Sequence, residues 1–284
     1  MQSAVPIETI QPERQLQLLL RPVGILTFTT GAGEIGDYLA LRFGTTDPEV
    51  ITQRFHAELS RIADAEVVIL GVPNDNGAGF DRGSKKGPLA IRRALLEEGW
   101  APDGVLDIGD VRDHPLLTDD RMLQDWVIDS VREARWGAEG RDLELPVSAH
   151  SILDRVLRCL YVINPKLKVM LLGGDHSNSQ VPVEVLAEHR KDLGVLQIDA
   201  HTDLLDARDG LPTSYATWAF HANEAIGAAG RFVQVGVRVS GTQRGAWEKR
   251  LNLHQLWAHE VNALPLQEAV NLTLRGLEEA GVKA

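Results

Sequence analysis

The chain has 284 residues, 44% hydrophobic and 24% charged, which suits one α/β domain with a sizeable core and an N-terminal extension. A formal net charge of −11 disfavours nonspecific nucleic-acid binding, and no apolar run approaches the ~18 residues of a membrane-spanning helix. Glu8, Glu13 and Arg14 precede the short apolar stretch from Leu16 to Leu20, unlike the front of a signal peptide, and the lone Cys159 admits no intramolecular disulfide. A reducing compartment, the cytoplasm, is therefore expected.

Residues 1–64 read as the extension, with a strand or hairpin arm between Val23 and Thr30. Gly31-Ala32-Gly33 lacks the spacing of a phosphate loop. Asp47 as N-cap and Pro48 in the first turn open a helix running to Ile62. Glu66 to Val72 is the first core strand, Gly87-Pro88 starts a helix through Glu98, and Val105 to Ile108 is a second strand. Helices are expected from Thr118 to Trp136 and from Ser151 to Val162. Lys168 to Leu172 and Gly194 to Ile198 read as buried parallel strands, with a helix from Val181 to His189 between them. Arg231 to Val237 is a further strand, and Pro265 to Ala280 a helix closed by Gly281. This alternation predicts a three-layer α/β/α domain over residues 65–284, with a mostly parallel sheet.

Two strand ends carry the chemistry. The strand at 194–198 runs into Asp199-Ala200-His201-Thr202-Asp203. In an extended chain Asp199, His201 and Asp203 share one direction, so two carboxylates and an imidazole converge at a carboxyl strand end, where open α/β sheets place their sites. This donor mix fits a hard or borderline divalent cation. The strand at 168–172 runs into Gly173-Gly174-Asp175-His176-Ser177, whose paired glycines permit a sharp turn that puts His176 on the same rim.

The run 173–177 followed by 199–203 resembles the arginase, agmatinase and formimidoylglutamase family, the ureohydrolases. A third match lies upstream, in Gly71-Val72-Pro73-Asn74-Asp75, Gly77-Ala78-Gly79, Arg82-Gly83, Gly87-Pro88 and Ile91-Arg92. The resemblance covers about residues 65 to 284, and two metal motifs in order, each after a strand, are specific. It implies an arginase-like fold and a manganese-dependent hydrolase of a linear amidine or guanidino C–N bond, acting through metal-activated hydroxide. It also implies a small-molecule guanidino or formimino substrate, no nucleic-acid or membrane partner, and a homo-oligomer. Carried over residue by residue, His176 and Asp203 would bind the first metal, His201 the second, and Asp199 would bridge them.

The family's third metal motif, an Asp-x-Asp at a later strand, has no counterpart: after Asp209 there is no aspartate. The expectation is a chain that lacks the C-terminal strands of the fold and binds one metal or none instead of two. The alternative function is therefore a catalytically inactive or truncated family member, and the reading frame beyond codon 284 separates the two. His221 is the positional match for a histidine that passes a proton to the leaving amine, with a helix-surface histidine as the other reading. Arg238, after the strand at 231–237, could bind a substrate carboxylate or pair structurally. Arginases place an aspartate there, and its absence favours an agmatinase-like or formimidoylglutamase-like substrate over arginine.

Overall fold

The computed structural model describes residues 7–23 and 32–282. The arm expected between Val23 and Thr30 lies, beyond Val23, outside these residues. The chain forms two compact units, Met1–Asn178 and Ser179–Ala284. It is an α/β protein with mostly parallel sheets, as expected.

In the first unit the order is α1 (Pro12–Leu19), β1 (Leu20–Arg21), α2 (Ala32–Phe43), α3 (Pro48–Leu59), β2 (Val67–Val72), α4 (Gly87–Glu97), β3 (Val105–Val111), α5 (Asp125–Asp142), α6 (Ala149–Ile163) and β4 (Lys168–Gly173). The sheet runs β1-β3-β2-β4, parallel except for β1, which pairs antiparallel with β3 through Leu20↔Val111. The described residues before position 65 are thus woven into this unit: they supply β1, and α1 packs on α6. Ile152, Leu153, Val156, Leu157 and Leu160 of α6 repeat at helical spacing and are all buried, with Leu16 and Leu19 of α1 and Ile108 of β3. Cys159 is buried in this core, where burial pushes its thiol up to about 11, as befits an inert small hydrophobe.

The expected cap of α3 is present: Asp47 Oδ1 accepts the amides of Glu49 at 2.9 Å and Val50 at 3.3 Å. The helix expected from Thr118 begins only at Asp125. Short acidic side chains divert the segment before it. Asp119 accepts the Arg121 amide at 2.9 Å, and Asp120 reaches across to the amides of Val147 and Ser148 at 3.1 and 2.9 Å.

In the second unit the order is α7 (Gln180–His189), β5 (Val195–Ile198), α8 (Trp218–Ala225), β6 (Phe232–Val237), α9 (Arg244–Leu251), β7 (His254–Trp257), α10 (Ala258–Asn262) and α11 (Leu266–Glu279). Its sheet is parallel, in the order β5-β6-β7. Trp218, Ala219, Ala222 and Ile226 pack with Phe232, Trp247 and Leu251 into one core. β5 corrects an expectation. Ile198 is 79% exposed and Leu196 is exposed too, whereas Gln197 between them is buried. β5 is an edge strand of its sheet, and only the face carrying Gln197 is covered. β4, also an edge strand, exposes Met170 in the same way.

Candidate metal centre

In the first unit, β2 and β4 pair in parallel register from Val67↔Lys168 to Val72↔Gly173, so the loops that follow them leave at the same end. These loops interlock. The Gly174 amide donates to Val72 O at 3.0 Å and that of Asp175 to Asn74 O at 3.0 Å. A Cβ at Gly174 would overlap the Asn74 carbonyl, so only glycine permits this approach. Asn178 Nδ2 donates to the carbonyls of Asn74, at 3.1 Å, and Asp175, at 2.9 Å. Asp175 Oδ1 accepts the Ser177 amide at 2.7 Å, and burial raises the pKa of its carboxyl. His176, half-buried, opens the short 3-10 turn after Asp175. The motif aspartate therefore shapes the turn that presents His176.

Behind the turn lies a residue that sequence reasoning passed over. His150, at the start of α6, is 2% exposed, with Nε2 3.4 Å from Ser177 Oγ. Burial pulls it down to about 4, against the favourable charge of Asp119. Above pH 6.5 the ring is neutral folded or unfolded. Between pH 6.5 and about 4 the unfolded chain binds a proton that the folded chain refuses, so stability falls as pH falls through that window. At about 1.4 kcal/mol per pH unit the loss reaches ~3 kcal/mol near pH 4. In urea titrations at pH 7.5 and 4.5, a His150→Gln variant should be the less pH-sensitive protein. An equal acid loss in both proteins would refute this assignment.

In the second unit, Asp199 follows β5 directly, and its amide donates to Val235 O at 3.0 Å. His201 still bridges Val239 in parallel, and the extended geometry ends by Asp203. Asp203 has φ +51°, in the left-handed region, and the two-residue alternation expected across 199–203 is broken. Asp199 and Asp203 are nevertheless brought together, each offering a carboxylate oxygen within 4.8 Å of the other's. Asp203 is 7% exposed, and its Oδ2 accepts the Trp218 indole N–H at 2.9 Å. His201 is largely exposed, with Nδ1 3.4 Å from Asp199 Oδ1, and its backbone amide donates to that oxygen at 3.0 Å. Two carboxylates held this closely repel one another, and a divalent cation offsets the repulsion. Oxygen donors beside an imidazole suit a hard or borderline ion.

Asp199 is held by an amide chain that the sequence reading missed. Gln197, Gln234 and Gln255 lie in register across the three strands and are all buried. Trp257 Nε1 donates to Gln255 Oε1 at 3.2 Å, Gln255 Nε2 to Gln234 Oε1 at 2.7 Å, Gln234 Nε2 to Gln197 Oε1 at 2.6 Å, and Gln197 Nε2 to Asp199 Oδ2 at 3.1 Å. Every link points its donor toward the carboxylate, and such chains strengthen their members. The available signal was a glutamine inside each apolar strand. A Gln197→Leu variant should cost about 1–3 kcal/mol in stability, because the Gln234 amide loses an acceptor. It should also weaken metal binding about 10-fold, as loss of a ligand's orienting partner does. Urea denaturation and manganese titration read the two effects, and unchanged metal affinity would remove the orienting role.

His221 lies on α8, with Nε2 3.0 Å from the Asp206 carbonyl. A carbonyl only accepts, so Nε2 carries a proton. Arg238 is exposed just past β6, its Nη1 3.5 Å from Gly236 O, and its amide donates to Ala200 O at 2.9 Å. The Arg238 backbone therefore braces the 199–203 loop.

Residues 65–282 match the arginase family. The agmatinase of Pyrococcus horikoshii is 28% identical over 207 residues, covering 70% of this chain and 60% of that protein. Proclavaminate amidino hydrolase from Streptomyces clavuligerus is 23% identical with a TM-score of 0.53, covering 75% of this chain and 64% of that one. Formimidoylglutamase from Bacillus subtilis is 21% identical with a TM-score of 0.56, covering 76% of this chain and 62% of that one. The two structural likenesses show the fold. The chain spans about 60% of the length of the curated relatives it matches.

Proposed function

This chain belongs to the arginase family, and on that premise we propose that it serves a metal-dependent hydrolase of a linear amidine or guanidino C–N bond. The observation that carries the reading is the Asp199–Asp203 carboxylate pair at the carboxyl end of a parallel strand. His176, Asp199, His201 and Asp203 are the proposed ligands, and manganese is the proposed metal. Bound there, such an ion would lower the pKa of a water and so supply a nucleophile near neutral pH. The protein's own groups do the rest. The glutamine chain orients Asp199, and Trp218 fixes the Asp203 carboxylate. His221 Nε2 is engaged with Asp206 O, so a proton passed to a leaving amine would come from Nδ1 once that nitrogen has taken one up. The Arg238 guanidinium, at the strand end, suits a substrate carboxylate.

The segment after β6 contains no aspartate to read an α-amino group. This supports an agmatinase-like or formimidoylglutamase-like substrate over arginine. Residues 65–284 are taken as the hydrolase segment and 1–64 as its extension, in a cytoplasmic homo-oligomer. The test is urea or ammonia release from agmatine, formimidoylglutamate and arginine, with manganese and without. Metal-dependent turnover of either of the first two above arginine supports the reading. A preference for arginine refutes the substrate assignment, and manganese binding without turnover on any of the three supports an inactive member of the family.

A further inference from the structure

A second pocket lies in the first unit, among residues that the proposed hydrolysis does not use. It is a cavity of about 260 Å³ with a polar wall of Arg112, His114, Ser130 and Arg135 and an apolar wall that includes Val131 and Ala134. Arg112 and His114 come from the segment just past β3, and Ser130 and Arg135 from α5.

The charge around it is predominantly positive. Arg21, 9% exposed, belongs to the same cluster: burial and then the Arg21 guanidinium pull Arg112 down, and pull Arg135 down to about 10. Three guanidiniums held together and partly dehydrated repel one another. One carboxylate, Asp113, pairs with Arg21 inside the cluster and offsets one of the three charges, while Glu139 and Asp129 are engaged with other arginines. Asp113 Oδ1 takes Arg21 Nη2 at 2.9 Å, Glu139 pairs with Arg14 at 2.5 Å, and Asp129 with Arg132 at 3.4 Å. The Trp136 ring lies 5.5 Å from the Arg112 guanidinium and 5.7 Å from that of Arg135, which eases the repulsion without neutralising it.

Donors are also left over. Among the described residues, the Arg112 guanidinium makes one hydrogen bond, from Nη2 to the Arg135 carbonyl at 3.4 Å, and that of Arg135 makes one, from Nη1 to the Asp113 carbonyl. Nε and Nη1 of Arg21 are buried without an acceptor. His114 Nδ1 accepts the Leu116 amide at 3.2 Å, which leaves the neutral ring's proton on Nε2. Planar guanidinium forks match phosphate oxygens, and with Arg21 paired to Asp113 a doubly charged anion would offset the two charges left on Arg112 and Arg135. The volume of about 260 Å³, just below the roughly 300–1,000 Å³ common for ligand sites, leaves room for a small organic group against the apolar wall.

We propose that this cavity is a binding site for a small phosphate monoester, held by Arg112 and Arg135 with His114 and Ser130 beside them. The test is calorimetric titration of the full chain with phenyl phosphate and with inorganic phosphate. Phenyl phosphate should saturate and bind more tightly than inorganic phosphate. Arg112→Gln and Arg135→Gln should each weaken it about 10-fold or more, the effect of losing one charge-assisted contact. Arg141→Gln removes the same charge from an exposed pair on α5 and should leave affinity unchanged. In the unsubstituted protein, saturation should shift the His114 imidazole resonances, a readout independent of how the variants fold. No saturation by about 10 mM, a Kd unmoved by both cavity variants, or an Arg141→Gln effect of equal size would overturn the proposal. Inorganic phosphate binding as tightly as phenyl phosphate would overturn the assignment to a monoester.

Discussion

Replacing Asp203 by asparagine should abolish tight manganese binding while leaving the metal-free protein folded. Asp203 is buried, and its carboxylate lies beside that of Asp199. Asparagine keeps the shape and an oxygen acceptor for the Trp218 indole, which donates at 2.9 Å, but carries no charge. It is also among the residues that best tolerate the φ of +51° at this position. The fold is therefore preserved and only the cation's electrostatic partner is lost. Loss of an outer partner of a metal ligand costs 10- to 100-fold, so loss of a ligand itself should cost at least about 100-fold. Without metal, the variant should melt no lower than the unsubstituted protein, because the repulsion between the two carboxylates is gone. Metal content after dialysis against manganese, together with a metal-free thermal melt, measures both. A variant that retains its manganese removes Asp203 from the ligand set, and with it the central geometric support for the proposed hydrolase.

The largest loss of stability is expected at Arg92. This α4 side chain is 2% exposed and pairs with two strand carboxylates. Its Nε lies 2.9 Å from Asp107 Oδ2, its Nη1 meets Asp110, and its Nη2 donates to Gly109 O at 2.7 Å. Burial alone would pull the guanidinium pKa down, but Asp110 and Asp107 hold it above its ordinary value. Arg92→Met keeps much of the volume and removes the charge. Asp110, 1% exposed, then loses the Arg92 guanidinium while staying buried, and breaking one partner of such a pair costs about 3–5 kcal/mol. Urea denaturation tests this, and pairing the change with Asp110→Asn in a double-mutant cycle isolates the coupling. A loss below about 1 kcal/mol would mean that water or another cation reaches Asp110. The same ion-pair set anchors α4 to β3, next to the loop after β2 that interlocks with the His176 turn.

Much of the local structure was legible in the residues themselves. The cap at Asp47, the strands at 67–72 and 168–173, and the helix after Pro265 are set by nearest-neighbour chemistry and by apolar periodicity. The paired glycines before His176 likewise announced a close approach, and Asn74 is what approaches. Other features depended on partners far along the chain. Thr118 to Gln124 carried no visible helix stop, because the groups that divert it, the amides of Val147 and Ser148, lie more than twenty residues away. β5 was expected to be buried because an apolar run does not say whether both faces of its sheet are covered, and the face carrying Leu196 and Ile198 is not.

The candidate site divides along the same line. The sequence alone determined which residue types follow which strand ends, and hence the family and the candidate ligands, because ligand spacing within a motif is a local property. Only the tertiary structure decided that Asp203 turns back toward Asp199 through a left-handed residue, and that Gln197, Gln234 and Gln255 align into a chain of donors. It alone decided that the three arginines at 21, 112 and 135 form one cluster of charge. Parallel pairing sets the register between strands that are separated along the chain, and the energies of buried amides and charges depend on what that pairing places beside them.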